Sequence, residues 1–149
     1  MDAQGYRGTG VWIRIQHRFG PRMTEWMLAA IAAGWGVIML LPARTFDQPS
    51  YRGFRVIFGS EGGIGAVMLL VGLACIGGLI VNGARKKVTP WIRVSSAGIR
   101  WMIWIGMFFA HAIGGIIGAW AIFYPVFAAV ELVNIYRAAH DVGESNAIS

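Results

Sequence analysis

The side chains able to do chemistry in this chain are few and scattered. His17, His111 and His140 are its three histidines, and they stand on different segments without the short spacings that gather metal ligands. The single cysteine, Cys75, lies inside an apolar run. One thiol makes no internal disulfide, and without His, Cys or Asp beside it makes a poor metal ligand. The carboxylates outside the tails, Glu25, Asp47, Glu61 and Glu131, belong to separate elements, so no pair is set for acid/base work. There is no GxSxG elbow, HExxH helix or P-loop, and the stretch GTGVWI is too incomplete for a nucleotide loop. The expectation is a protein that is not an enzyme, with no cofactor and no metal site.

The elements that must position these residues are apolar blocks. Of 149 residues, 56% are hydrophobic and 13% charged, against about 25% charged in a soluble domain. Mean hydropathy is +0.58. Apolar blocks of about 18 or more residues with few charges mark transmembrane helices. The net charge of +6 does not point to nucleic acid, because the Lys and Arg residues fall before and between the blocks. Cytoplasmic anchors of a membrane protein sit there, whereas a nucleic-acid domain gathers its cations on one folded face. Arg7, Arg14, Arg18 and Arg22 precede the first block, and no small-residue cleavage site follows it. That block is therefore expected to act as an uncleaved signal anchor.

Residues 1–23 read as a cytoplasmic tail with an interfacial segment. In VWIRIQHRFGPR (11–22), aromatic and basic residues mix as they do at headgroup level; a short strand is the rival reading. Span 1 covers about 24–41, with Thr24 as its cap, Glu25 at its positive end and Pro42 closing it. The loop 42–61 holds Phe46, Tyr51, Phe54 and Phe58 and is long for a structureless connection. It is expected to pack on the bilayer surface or carry a short helix. Span 2 covers about 62–81, and NGARKKVTP turns the chain, with Pro90 suited to the first turn of a new helix.

The apolar run over 92–136 is too long for one crossing. As a single helix it would extend roughly 67 Å at 1.5 Å per residue, against a hydrocarbon core about 30 Å thick. Splitting it at Gly114-Gly115 leaves spans of 92–112 and 116–136, since glycine readily takes the left-handed conformation that ends a helix. The predicted fold is thus an all-α integral membrane protein. It has four transmembrane helices arranged as two hairpins in a membrane domain 24–137, followed by a cytoplasmic tail 138–149. If the turn centres between Gly115 and Ile116, Arg100 meets Glu131. A charge at mid-helix costs about 2.5–3.5 kcal/mol on insertion scales and so tends to face a partner. An intramembrane Arg100–Glu131 ion pair is the sharpest structural expectation; separate snorkelling of each is the alternative.

With four spans both termini share one side. Arg14, Arg18, Arg22, Arg85, Lys86, Lys87 and Arg93 anchor that side, which the positive-inside rule makes cytoplasmic. Gly106, Ala110, Gly114 and Gly118 recur every four residues, a spacing that lets helices approach closely in lipid, within one chain or between copies. His111, near the turn, reads as an interfacial or hydrogen-bonded histidine.

Three segments carry a resemblance: WGVIMLLPARTFDQPSYRGF (35–54), LIVNGARKKVTPWIR (79–93) and ELVNIYRAAHD (131–141). Together they resemble the small four-span membrane proteins encoded in tailed-bacteriophage genomes, over about 25–141. The resemblance implies a phage gene and a bacterial host inner membrane, and brings no activity or functional residues with it. The expected partners are the lipid bilayer, a second copy of the chain, and a host or phage envelope protein met through loop 42–61. The expected role is non-catalytic protein–protein contact at the host envelope, as in superinfection exclusion or support of DNA passage. The alternatives are a holin-like permeabilising protein and a small oligomeric transporter.

Overall fold

The computed structural model describes residues 22–42, 44–81, 89–115 and 117–147. These residues form α1 (Met23–Leu40), two 3-10 turns (Thr45–Asp47 and Pro49–Tyr51), α2 (Arg52–Phe58), α3 (Glu61–Val81), α4 (Thr89–Ile113) and α5 (Trp120–Ala147). The helices α1, α3, α4 and α5 are long and apolar enough to cross a membrane. They pair as two antiparallel hairpins, α1 with α3 and α4 with α5, joined where α3 packs against α4. Of the segment 11–22 read as interfacial, 11–21 lie outside the described residues, as do Arg85, Lys86 and Lys87 between the hairpins; Arg14 and Arg18 fall in that segment.

Local chemistry accounts for the helix ends. The α1 backbone turns extended at Leu41, ahead of Pro42, which has no N–H to continue the ladder. Ser60 caps α3: its Oγ accepts from the Gly63 N–H at 3.1 Å. Immediately before it, Gly59 takes φ +73 and closes α2, with its N–H bonded to the Arg55 carbonyl. At the end of α4 the Gly114 N–H bonds to the Ala110 carbonyl and Gly115 turns at φ +71. The 92–136 run is therefore two helices. The second starts later than expected, at Trp120, because 117–119 belong to the turn. It also runs on to Ala147, so 138–147, read as the start of the tail, continues the helix.

The two hairpins close by different means. Between α1 and α3 the backbones touch: a Cβ on Gly36 would lie 2.4 Å from the Leu69 nitrogen, and one on Gly72 would lie 2.7 Å from the Ala29 oxygen. Only glycine permits that approach. Between α4 and α5 the contact is made by rings. Trp104 is fully buried and meets Tyr124 in a stack and Phe127 edge-on, with centroids 6.1 and 5.2 Å apart. Trp104 against Phe127 and His111 against Trp120 keep the same register as Arg100 against Glu131.

The stripe Gly106, Ala110, Gly114, Gly118 does not serve as a seam between membrane helices. Gly106 lies under Phe58, Ala110 receives the backbone of Gly53, and Gly114 lies against Ser50, while Gly118 is outside any helix beside Trp120. The stripe admits α2 and the turn before it, because small side chains leave a trough that a short aromatic segment can enter.

Candidate functional site

The charged and polar side chains of the bundle come together along one seam. Arg93 and Arg100 lie two turns apart on one face of α4. Glu131, Asn134, Ala138 and Asp141 fall on one stripe of α5. Both stripes point into the bundle, so their ionic groups meet one another instead of lipid.

At mid-bundle Arg100 grips Glu131 with two donors. Its Nη2 donates to Oε2 at 2.9 Å and its Nε donates to Oε1. The two side chains are 1% and 0% exposed. Asn134 Nδ2 donates to the same Oε2 at 3.1 Å, and Thr24 Oγ1 donates to Asn134 Oδ1 at 2.8 Å. Thr24 therefore ties α1 to α5 and is not the cap expected for α1, whose first turn has no side-chain cap. Cys75, buried on α3, lies close enough to Arg100 to interact with it. Arg100 Nη1 and Trp104 Nε1, one turn apart, have no partner among the described residues.

Towards the chain-terminal end, Arg93 makes a second pair. Its Nε and Nη2 donate to Glu25 Oε2 and Oε1 at 2.7 and 2.6 Å, and its Nη1 donates to Asp141 Oδ2 at 2.6 Å. Arg22 Nη2 reaches the same Asp141 oxygen at 3.2 Å. Arg93 is 2% exposed. Arg93, expected as a cytoplasmic basic anchor, does not reach outward: Glu25 and Asp141 draw the guanidinium inward and satisfy its donors. Glu25 is likewise buried and acts as a counter-ion more than as a partner for the helix dipole.

At the opposite end 44–60 folds into a cap. Phe54 is fully buried at its centre, with Tyr51, Phe46, Phe58 and His111 ring centroids at 5.0, 5.6, 5.8 and 4.7 Å. His111 stacks on Trp120 at 4.8 Å and on Tyr124 at 5.6 Å, so it is an aromatic-core residue and not an interfacial one. Glu61 holds the cap from below, its carboxylate accepting the backbone N–H groups of Thr45 and Phe46 at 2.9 and 3.2 Å. Arg44, just before them, takes the left-handed conformation at φ 48, and Arg55 pairs with Asp47 across the top. Burial, and then the Glu61 charge, raise the Tyr51 phenol above its ordinary range. Arg52, Arg55, Val56 and Ile57 are exposed on the outer face.

Sequence reasoning missed Arg93–Glu25, Thr24–Asn134, Asp141 and the Glu61 clamp. The first three had a signal in the stripes 93–97–100–104 and 131–134–138–141, whose spacing places polar residues at core positions. The Glu61 clamp had none. Among the described residues no group of three or more His, Cys, Asp and Glu side chains is placed to hold a metal ion. Comparison with protein-family models, curated proteins and solved structures finds no match to this chain.

Proposed function

We propose that the protein is a phage-type, non-catalytic inner-membrane protein that acts on the host envelope through protein–protein contact made by its cap. With both termini cytoplasmic, the cap faces the periplasm. The observation that carries this reading is the division of labour between bundle and cap. Inside the bundle, Arg93 and Arg100 are consumed by Glu25, Asp141 and Glu131. The cap, by contrast, is a built surface. Its aromatic underside is locked to α4, and its outer face sets Val56, 70% exposed, beside Arg52 and Arg55. An apolar centre with arginine around it is the composition of a contact patch.

A permeabilising role would need hydrophilic groups free to turn outward and line an opening. Here those groups face inward in pairs, and turning them out would break the pairs. The reading is tested by expressing the chain in bacteria, challenging them with tailed phages and following entry of labelled phage DNA. The wild type should alter DNA entry for at least one phage, and a Val56→Asp/Arg52→Glu variant present in the membrane at equal level should not. DNA entry altered equally by wild type and variant would sink the cap reading.

A further inference from the structure

The cap reaches into the membrane along α4. Ser50 meets the turn at Gly114, and Gly53 meets the Ala110 carbonyl one turn lower. Lower still, a Cβ on Gly106 would lie 2.9 Å from Phe58 Cζ and 3.7 Å from Ile57 Cγ2. α2 therefore descends beside the end of α4 before Gly59 turns the chain back to Glu61. The span Pro90–Ile113 has its midpoint between Trp101 and Met102. At 1.5 Å per residue, Ala110 lies about 13 Å from that midpoint and Gly106 about 7 Å, while half the hydrocarbon core is about 15 Å deep. Ile57 thus sits within the hydrocarbon of the leaflet on the cap side, and Arg52, next to Gly53, at its edge. Val56 and Ile57 are exposed there. So is Arg52, which makes none of the ion pairs among the described residues, whereas Arg55 is paired with Asp47.

We infer that the cap's partner is itself a membrane-spanning protein, met sideways within this leaflet, with an apolar helix against Val56 and Ile57 and a carboxylate level with Arg52. Such a partner presupposes that the cap is the protein contact proposed as the function. A soluble periplasmic protein stops at the headgroups and does not reach Ile57; a neighbouring span does. An unpaired guanidinium at the edge of the hydrocarbon calls for an anion. Arg52 also opens α2, where the helix dipole disfavours a cation, so its placement gains nothing from the chain itself. Lipid alone does not account for how the cap is built. A segment lying in the bilayer surface needs only an apolar face and charge. Here a helix of seven residues is fixed by the buried Phe54 ring, by Gly53 on the Ala110 backbone and by the Glu61 clamp. Holding the patch rigid beforehand lowers the ordering cost of docking to another folded surface.

The test uses the full chain in two measurements. A nitroxide is attached to Val56→Cys, Cys75 being buried and so left unlabelled. In phospholipid vesicles its collisions are read with oxygen, which enters hydrocarbon, and with a nickel chelate, which stays in water. Oxygen should dominate at Val56→Cys, and the chelate at Gln48→Cys. Dominance of the chelate at Val56→Cys would overturn the embedded partner and leave the cap open to a soluble one. A photo-crosslinking amino acid is then placed at Val56 in bacteria expressing the chain and challenged with phage. The adduct should contain a membrane-spanning protein with an Asp or Glu within about one turn of the joined residue, since Arg52 stands about 6 Å along α2 from Val56. Arg52→Glu should cut the yield about tenfold while trypsin still spares Arg55. Adducts with lipid alone would overturn both this partner and the protein-contact reading. Adducts with a soluble protein, or a yield indifferent to Arg52→Glu, would overturn this partner only.

Discussion

Replacing Glu131 by leucine should be among the most damaging single changes this protein can suffer. The substitution preserves volume roughly but strips both acceptors from Arg100 Nε and Nη2. Arg100 Nη1 already has no hydrogen-bond partner among the described residues, so the guanidinium would keep only the neighbouring Cys75 thiol and no counter-ion inside the bundle. Breaking one side of a buried pair costs about 3–5 kcal/mol. The unfolded reference keeps its helices in the membrane, where separated polar groups find partners of their own, so the lower part of that range applies. For a chain of this length the loss corresponds to a fall in Tm of roughly 10 °C. Arg100→Met/Glu131→Leu removes both charges, and most of the loss should return. What remains is the orphaned Asn134 amide, about 1 kcal/mol. Cys75 makes the assay simple, because it is the only cysteine and is 1% exposed. A thiol-reactive fluorophore therefore reports opening of the bundle in detergent. If the single variants each cost less than about 1 kcal/mol and their effects add in the double, the buried pair is not holding the hairpin and the reasoning fails.

Other positions give sharper contrasts. Gly72→Leu forces a side chain into the α1 backbone and should separate the first hairpin, whereas Gly77→Ala, with nothing within 4 Å of the new Cβ, should leave the thiol-labelling temperature unchanged. Gly53→Ala sets a Cβ 1.9 Å from the Ala110 oxygen; it should lift the cap and speed tryptic cleavage after Arg52 and Arg55. The Tyr51 phenol is held above its ordinary value of 10.0 by burial and the Glu61 charge. On alkalinisation the unfolded chain therefore loses this proton first. Stability is full below about pH 10 and declines as pH rises through the folded value, and Tyr51→Phe should flatten that decline in a melting series.

The parts of this molecule legible in its sequence are those that depend on length, polarity and helix ends. Apolar blocks set the four spans, Pro42 and Gly115 sit where the chain stops or turns, and the cost of a lone charge in lipid argues for joining Arg100 to Glu131. The Arg93–Glu25–Asp141 cluster was hidden for a physical reason. A cation near a span end reads as a headgroup anchor, and only the mutual approach of α1, α4 and α5 makes a carboxylate available to draw it inward. The small-residue stripe at Gly106 and Ala110 is a related case. Spacing shows that something comes close, but not whether it is a membrane helix or a cap folded back from a loop. The Glu61 clamp joins a carboxylate to backbone amides at Thr45 and Phe46, and amides carry no mark in a sequence.

The central claim is that the bundle spends its charges inward and leaves the bilayer sealed, with the cap as the acting surface. Membrane potential in bacteria induced to express the chain, followed with a voltage-sensitive dye, tests it most directly. The account predicts a steady potential at high levels of inserted protein. An abrupt collapse after a lag, abolished by Gly106→Leu while the protein still inserts, would contradict it and make the permeabilising role the correct one.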